Sequence, residues 1–329
     1  MNILITGGTG FIGSRLTLRC LADGHSVTAL GQVNTPAEEA NKQFLESKGA
    51  KVRLASVTEP ETLPPVLEGI DTVFHLAAAQ HEANVPEEYF RNVNVTGTKN
   101  VIEASIKAGV NRFVHGSTIG VYGLALDGKI DENSSLEPDN IYGVTKLEGE
   151  KLVLSYADQI EVVAIRISET YGPGDRRLLK LFKAIQKNLF FRIGSGKNKH
   201  HLIYIDDLID GMLAASLSDK AAGEIVLLAG KEVVTTDEMI DAIASTLDQS
   251  VGGFHVPVFP FLVVAVAMET TLSPLGIQPP IHRRRMDFFR KSFLFSLDKS
   301  SNVLGFNPKT GFTQGAQQTA QWYKENELL

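Results

Sequence analysis

Cysteine is nearly absent: Cys20 stands alone in the chain. No internal disulfide can form, which fits a reducing compartment and leads to an expected cytoplasmic location. Cys20 falls inside the first helical pattern and reads as a core thiol rather than a nucleophile. An excess of positive charge is also missing. The 38 Asp and Glu outnumber the 32 Lys and Arg, for a net charge of -6. Nucleic acid, which needs a basic face, is therefore not an expected partner. Residues 1–13 open with a strand pattern rather than a charged segment followed by an apolar stretch, so no signal peptide is read there. Long apolar runs are missing too. The most apolar window, Phe254 to Met268, contains two prolines and falls short of the roughly 20 residues that span a bilayer. It reads as a buried helix, with a membrane-touching patch as the second reading. Finally, His75, His81, His200 and His201 are scattered, with no carboxylate or thiol at ligand spacing, so no metal is expected. There is no tandem repeat and no low-complexity tract.

What is present is a regular alternation. Apolar runs at 2–6, 26–30, 51–54, 71–76, 111–115 and 161–166 read as strands, most of them continuous enough for parallel strands covered on both faces. Helical patterns near 12–23, 36–48, 60–68, 87–108 and 142–157 lie between them. This order predicts an α/β fold with a doubly wound parallel sheet and its ligand at the carboxyl ends of the strands. After Arg166 the pattern changes. Further strands are expected at Leu202–Ile205 and Glu224–Leu228, with a helix from Asp206 to about Ser218. The expected division is a dinucleotide-binding unit of 1–166 and 203–230, and a smaller substrate lobe of 167–202 and 231–329.

Directly after the first strand stands Thr6-Gly7-Gly8-Thr9-Gly10-Phe11-Ile12-Gly13. Strand, glycine turn and helix in this order suit a dinucleotide pyrophosphate. Gly7 allows the sharp turn, Gly10 lets phosphates approach the backbone, and Gly13 lets the helix pack against the strand. The helix start then faces the anion with free amides and the positive end of its dipole. A second feature is Tyr142-Gly143-Val144-Thr145-Lys146. Tyr and Lys four residues apart share a helix face. A nearby ammonium favours the phenolate, and a phenol so tuned can exchange a proton with an alcohol or ketone. A strand ending in Ser117-Thr118 supplies hydroxyls for the reacting oxygen. Capping of the next turn is the plainer use of one of them.

With these motifs the chain resembles the extended short-chain dehydrogenases/reductases, nearly end to end. The resemblance also includes Phe74-His75-Leu76-Ala77-Ala78, Asn94-Val95-Thr96-Gly97-Thr98-Lys99-Asn100, Tyr171-Gly172-Pro173-Gly174-Asp175 and Tyr204-Ile205-Asp206-Asp207. It implies Thr118, Tyr142 and Lys146 as the catalytic set, with Lys146 also holding the nicotinamide ribose. It implies Gly7, Gly10, Phe11, Ile12, Gly13, Gln32, Ser56, Val57, Leu76, Ala77, Ala78, Ser117 and Ile167 on the cofactor side, and Asn94 as a structural or cofactor-side residue. It further implies a homodimer through the helices near 87–108 and 142–157. The cofactor is NAD or NADP. Gly31 stands where an acid would hold a ribose diol, and no Arg there would pair with a 2′-phosphate.

The substrate is less legible. Nucleotide-sugar members of this family usually carry Asn where Glu169 stands, and a phosphate-clamping Arg where His200-His201 stand. A carboxylate repels a diphosphate, and His is a weaker phosphate partner than bidentate Arg. Ile119-Gly120 lacks the acid pair of the sugar dehydratases. The C-terminal half is closer to 3β-hydroxysteroid dehydrogenase-like and dihydroflavonol reductase-like members. Its apolar residues, Phe259 to Met268 and Phe288, Phe289, Phe293 and Phe295, line a substrate pocket or simply form the lobe's core. His81, Glu169, His200 and Arg283 are the candidate substrate contacts, with Arg283-Arg284-Arg285 also readable as a solvated face. The expected activity is NAD(P)-dependent interconversion of a secondary alcohol and a ketone. The alternative is a sugar or nucleotide-sugar epimerase with transient oxidation, and the remote one is a dinucleotide sensor without catalysis.

Overall fold

The computed structural model describes residues 1–80, 85–123, 128–272, 286 and 288–329. The chain begins β1 (Asn2–Thr6), α1 (Phe11–Ala22), β2 (Ser26–Gly31), α2 (Pro36–Ser47), β3 (Lys51–Leu54), α3 (Pro64–Leu67), β4 (Thr72–His75), α4 (Glu87–Arg91), α5 (Thr98–Lys107), β5 (Arg112–Thr118), α6 (Ile141–Leu154) and β6 (Glu161–Ile167). It continues β7 (Thr170–Tyr171), α7 (Leu179–Gln186), β8 (Arg192–Ile193), β9 (Lys199–His200), β10 (Ile203–Tyr204), α8 (Ile205–Leu217), β11 (Ile225–Leu228), β12 (Val234–Thr235), α9 (Thr236–Thr246), β13 (His255–Val256), α10 (Val258–Leu272), α11 (Asp298–Leu304) and α12 (Phe312–Glu325). Seven strands form one parallel sheet in the order β11-β6-β5-β4-β1-β2-β3. The doubly wound α/β architecture expected from the sequence is present.

The apolar runs arise because each strand feeds two cores with its alternating side chains. Ile3 and Ile5 of β1 join Val114, Val163 and Met212 on one face. Leu4, between them, joins Val73, Phe113, Val101 and Ile102 on the other. Helix starts are set locally. The Asn140 side chain accepts from Gly143 N–H at α6, and Thr235 with Glu238 closes a capping box at α9. The strand order reverses at β1, which has β2 on one side and β4 on the other. The crevice at the carboxyl ends there is where a doubly wound sheet binds its ligand.

Several elements depart from the sequence reading. The expected helix 87–108 is α4 and α5 joined through a wider helical turn at Asn92–Gly97. The helix near 60–68 shrinks to α3 and a short 3-10 turn, because Pro60, Pro64 and Pro65 remove helical donors. Only Ile203–Tyr204 of the run at 202–205 is strand, and it pairs with β7 outside the main sheet, whereas β11 extends the main sheet beside β6. β3 lies on the sheet edge and is largely exposed. The largest departure is the Phe254–Met268 window. It was expected to be buried. Instead α10 buries Ala265 and leaves Phe259, Val263, Val264 and Val266 exposed. An apolar composition favours burial, but burial needs a second surface, and one row of this helix is all that the body of the protein covers. No helix among the described residues is long and apolar enough to cross a membrane.

Two buried histidines sit under the cleft. Thr98 donates to the Asn94 carbonyl at 2.8 Å, so it accepts from His75 Nε2, 2.9 Å away. His75 Nδ1 is then the acceptor for the Thr6 hydroxyl at 2.8 Å, and Thr6 in turn accepts from the Leu76 and Ala77 amides. This chain of donors fixes a neutral ring. Burial, aided by the charge on Lys146, pushes the His75 pKa down to about 3. His115, stacked on His75 at 5.5 Å, is held well below the ordinary range by burial, Lys146 and His75. Unfolded, each ring takes a proton near pH 6.5. The folded state refuses that proton, so stability is intact above about 6.5 and is lost as pH falls toward 3, on the order of 5 kcal/mol for His75 at full extent. The melting temperature should fall through that window. Neither ring nitrogen of His115 has a hydrogen-bond partner, so His115→Phe should make the fall shallower. An unchanged slope would remove His115 from this account.

Candidate active site

At the carboxyl end of β1 the chain turns through Gly7, at φ +68°, into α1. A Cβ on Gly13 would lie 2.2 Å from the Gly7 carbonyl oxygen, so only glycine allows α1 to pack this close. Gly10 is the N-cap of α1 and brings no side-chain cap. The first amides of α1 therefore have no intrahelical acceptor and open into a cleft of about 760 Å³. That volume is in the range of small-molecule sites. Gly7, Gly10, Phe11, Ile12, Gly13, Gln32, Ser56, Val57, Leu76, Ala77, Ala78 and Ile167 all line it. An uncapped helix start and a glycine cradle in a cleft of this size fit a dinucleotide. Asn34, Thr35, Glu38 and Asn41 also line the end near β2. Sequence reasoning missed them, although the Thr35–Glu38 capping pair at α2 was a readable signal.

The other end of the cleft is lined by Thr118, Tyr142 and Lys146. β5 ends at Thr118, whose Oγ1 accepts from Gly120 N–H at 3.1 Å. Capping thus uses the oxygen as acceptor and leaves the hydroxyl proton available. Tyr142 and Lys146 lie one turn apart on α6. Lys146 is 2% exposed. Burial lowers its pKa to about 8, against the opposing charge of Glu150.

Ser117 lines the cleft but turns its hydroxyl inward, donating to Glu150 Oε2 at 2.6 Å. Glu150 is fully engaged beyond that, with Arg166 Nη2 at 2.7 Å and Nε at 3.1 Å. Arg166 also donates to Tyr122 Oη and the Glu132 carbonyl, both at 2.9 Å. This buried cluster underpins the catalytic end and was not read from the sequence, because it joins β5, α6 and β6. Asn94 is structural. Its amide oxygen accepts from Ala79 N–H at 2.8 Å, and its Nδ2 donates to the Ala79 carbonyl at 3.0 Å and to Thr145 at 2.9 Å.

At the substrate end, Glu169 and His200 come together, with Glu169 Oε2 3.6 Å from His200 Nδ1. Desolvation works against the Glu169 charge, but the hydrogen bond and field of His200, with Arg177, hold its carboxyl below the usual carboxylate range. His200 is wedged: its Nε2 lies 3.0 Å from Asn198 and 2.9 Å from Thr236, and its ring stacks on Phe288 at 4.5 Å. It holds Glu169 in place more than it reaches for a ligand. His201 is structural, set between the Gly230 carbonyl and Phe295 N–H. Arg177, beside Asp175 at 3.2 Å, also lines the cleft, as do Lys291, Phe288 and Phe293. His81 and Arg283, two of the sequence candidates, lie outside the described residues.

Comparison with known proteins agrees with this geometry. Residues 3–229 match the NAD dependent epimerase/dehydratase family. A similar relative is an uncharacterized UDP-glucose epimerase, YtcB, of Bacillus subtilis (strain 168), 32% identical over 74% of this chain and 81% of the relative. Another is the Homo sapiens sterol-4-alpha-carboxylate 3-dehydrogenase, decarboxylating, 24% identical over 97% of this chain and 87% of the relative. The solved UDP-glucuronic acid 4-epimerase from Bacillus cereus in complex with NAD is 25% identical, with a TM-score of 0.80 over 99% of each chain. The chain belongs to the NAD dependent epimerase/dehydratase family and is an enzyme of the extended short-chain dehydrogenase/reductase type.

Proposed function

We propose that this enzyme interconverts a secondary alcohol and a ketone, with NAD as hydride carrier and Tyr142 as the acid-base. The observation that carries the reading is the single cleft that joins Thr118, Tyr142 and Lys146 at one end to the glycine turn at the other. When bound, the nicotinamide supplies reversible hydride acceptance at carbon. Thr118 orients the substrate oxygen by donating the proton that its capping bond leaves unused. Tyr142 takes the alcohol proton at its phenolic oxygen, or returns one to the ketone. Lys146 binds the ribose, and its ammonium, charged below about pH 8, lowers the cost of the phenolate.

The choice of NAD over NADP rests on charge. The cations lining the cleft among the described residues are Lys146, Arg176, Arg177 and Lys291. All four come from segments at the catalytic and substrate end. The adenosine-side residues Gln32, Asn34, Thr35, Glu38 and Asn41 offer no cation to a 2′-phosphate, and the Glu38 carboxylate opposes one. For the substrate, Glu169 stands as an acceptor for hydroxyl groups and disfavours a diphosphate at that position. We assign the enzyme to the cytoplasm on its lone buried thiol, and to a homodimer through residues 87–108, the α4–α5 segment, and 142–157, the α6 segment, which sizing chromatography at several concentrations checks.

The second reading is epimerisation. The Bacillus relative and the solved neighbour, both named as epimerases, favour it. Cofactor accounting separates the two. With a candidate polyol or ketone, the oxidoreductase changes reduced-nicotinamide absorbance in proportion to product. An epimerase yields the inverted stereoisomer with no net absorbance change, and that outcome would replace the first reading.

A further inference from the structure

The exposed face of α10 continues beyond the helix. Phe259, Val263 and Val266, at i, i+4 and i+7, form one stripe, with Phe259 73% exposed. β13 runs parallel to β8 with His255 opposite Arg192. Phe254, 78% exposed, is therefore placed opposite Phe191, and Phe191 meets Phe261 of α10 at 5.8 Å between ring centroids. Leu189, 72% exposed, lies two residues before Phe191. An apolar patch of this kind on a monomer marks a surface meant for contact.

Charge selects the partner. Residues 176–199 carry eight Lys and Arg and no Asp or Glu, in a chain of net charge -6. Two of the eight are spent on internal pairs, Arg177 with Asp175 and Arg192 with Asp237 and Asp241. Lys187, beside Leu189, and Lys197, close to the Gly194 contact with Val258, are exposed. In a symmetric contact between two copies, the same cationic segment would face itself and repel. An anionic lipid surface reverses that sign, and apolar side chains beside lysines are the chemistry it takes up. α10 has 15 residues. At 1.5 Å per residue it reaches roughly 22 Å, too short to span a hydrocarbon core of about 30 Å but enough to lie in its interface.

We propose that this enzyme docks on anionic phospholipid bilayers through α10 and the Phe191–Phe254 edge, with the lysines of residues 180–199 as its electrostatic contacts. The patch shares a wall with the substrate end of the cleft. A Cβ on Gly194 would meet Val258 at 2.9 Å and the Phe289 carbonyl at 3.2 Å, and Phe289 packs on Phe288 at 5.1 Å, the ring stacked on His200. Docking therefore sets the cleft close to the lipid surface. It does not depend on which reaction the site performs.

The test is flotation of the intact protein with vesicles of phosphatidylcholine alone and of phosphatidylcholine mixed with phosphatidylglycerol. The protein should float with the mixed vesicles, less so at high salt. F259D/V263D should weaken binding at least ~10-fold. K187E and K197E should each weaken it about fivefold or more at low salt. All these positions are exposed, so NAD affinity and melting temperature stay as in the parent protein and show that the variants are folded. No flotation of the intact protein overturns the proposal. Equal binding to both vesicle types overturns the anionic assignment. Self-association without lipid that F259D/V263D abolishes shows instead that the patch joins two copies.

Discussion

Tyr142→Phe should turn over on the order of 10³-fold more slowly than the parent enzyme, with NAD still bound. The substitution removes one oxygen from the wall of the cleft and leaves the ring. Thr118 can still orient the substrate oxygen, and Lys146 can still hold the ribose, so ground-state binding changes little. In the proposed mechanism, what disappears is the group that carries the proton in the transition state. The loss therefore belongs in kcat, with KM nearly unchanged. NAD titration by fluorescence or calorimetry provides the control. Equal turnover of the two proteins would place the acid-base elsewhere. If the biological role also survived, the dinucleotide-sensor reading would take over.

Glu150→Ala should lower stability by about 3–5 kcal/mol. Glu150 and Arg166 are each 1% exposed at the side chain and are paired at 2.7 Å. Removing the carboxylate strands a guanidinium in the interior and orphans the Ser117 hydroxyl. At the usual unfolding entropy per residue, each kilocalorie is worth roughly 1.5 °C in a chain of 329 residues, so the melting temperature should fall by about 4–7 °C. Replacing both partners, as Glu150→Met with Arg166→Met, should cost less than Glu150→Met alone, because no charge is then left buried without its partner. The same carboxylate supports the Lys146 charge. Its loss should lower the Lys146 pKa further below about 8 and start the alkaline fall in activity at lower pH. A single variant as stable as its parent would mean that the pair is not the support the geometry implies.

Features whose physics is local were legible in the residues alone. A glycine turn between a strand and a helix needs no distant partner to be recognised: Gly7, Gly10 and Gly13 serve backbone geometry within eight residues. The Tyr142–Lys146 pair is likewise set by one turn of helix, and the strand runs by the two-sided covering of a parallel sheet. Whatever depends on which surfaces meet came only with the packing of the chain. Ser117 was legible as a hydroxyl at a strand end, but not as a donor to Glu150, since α6 brings that carboxylate from 33 residues away. Glu169 and His200 were legible as departures from a family pattern, whereas their pairing and the wedging of His200 by Asn198, Thr236 and Phe288 arise only where separate segments converge. α10 shows the same limit from the other side. Composition states that a segment is apolar; whether anything covers it is decided by the neighbours that the fold supplies.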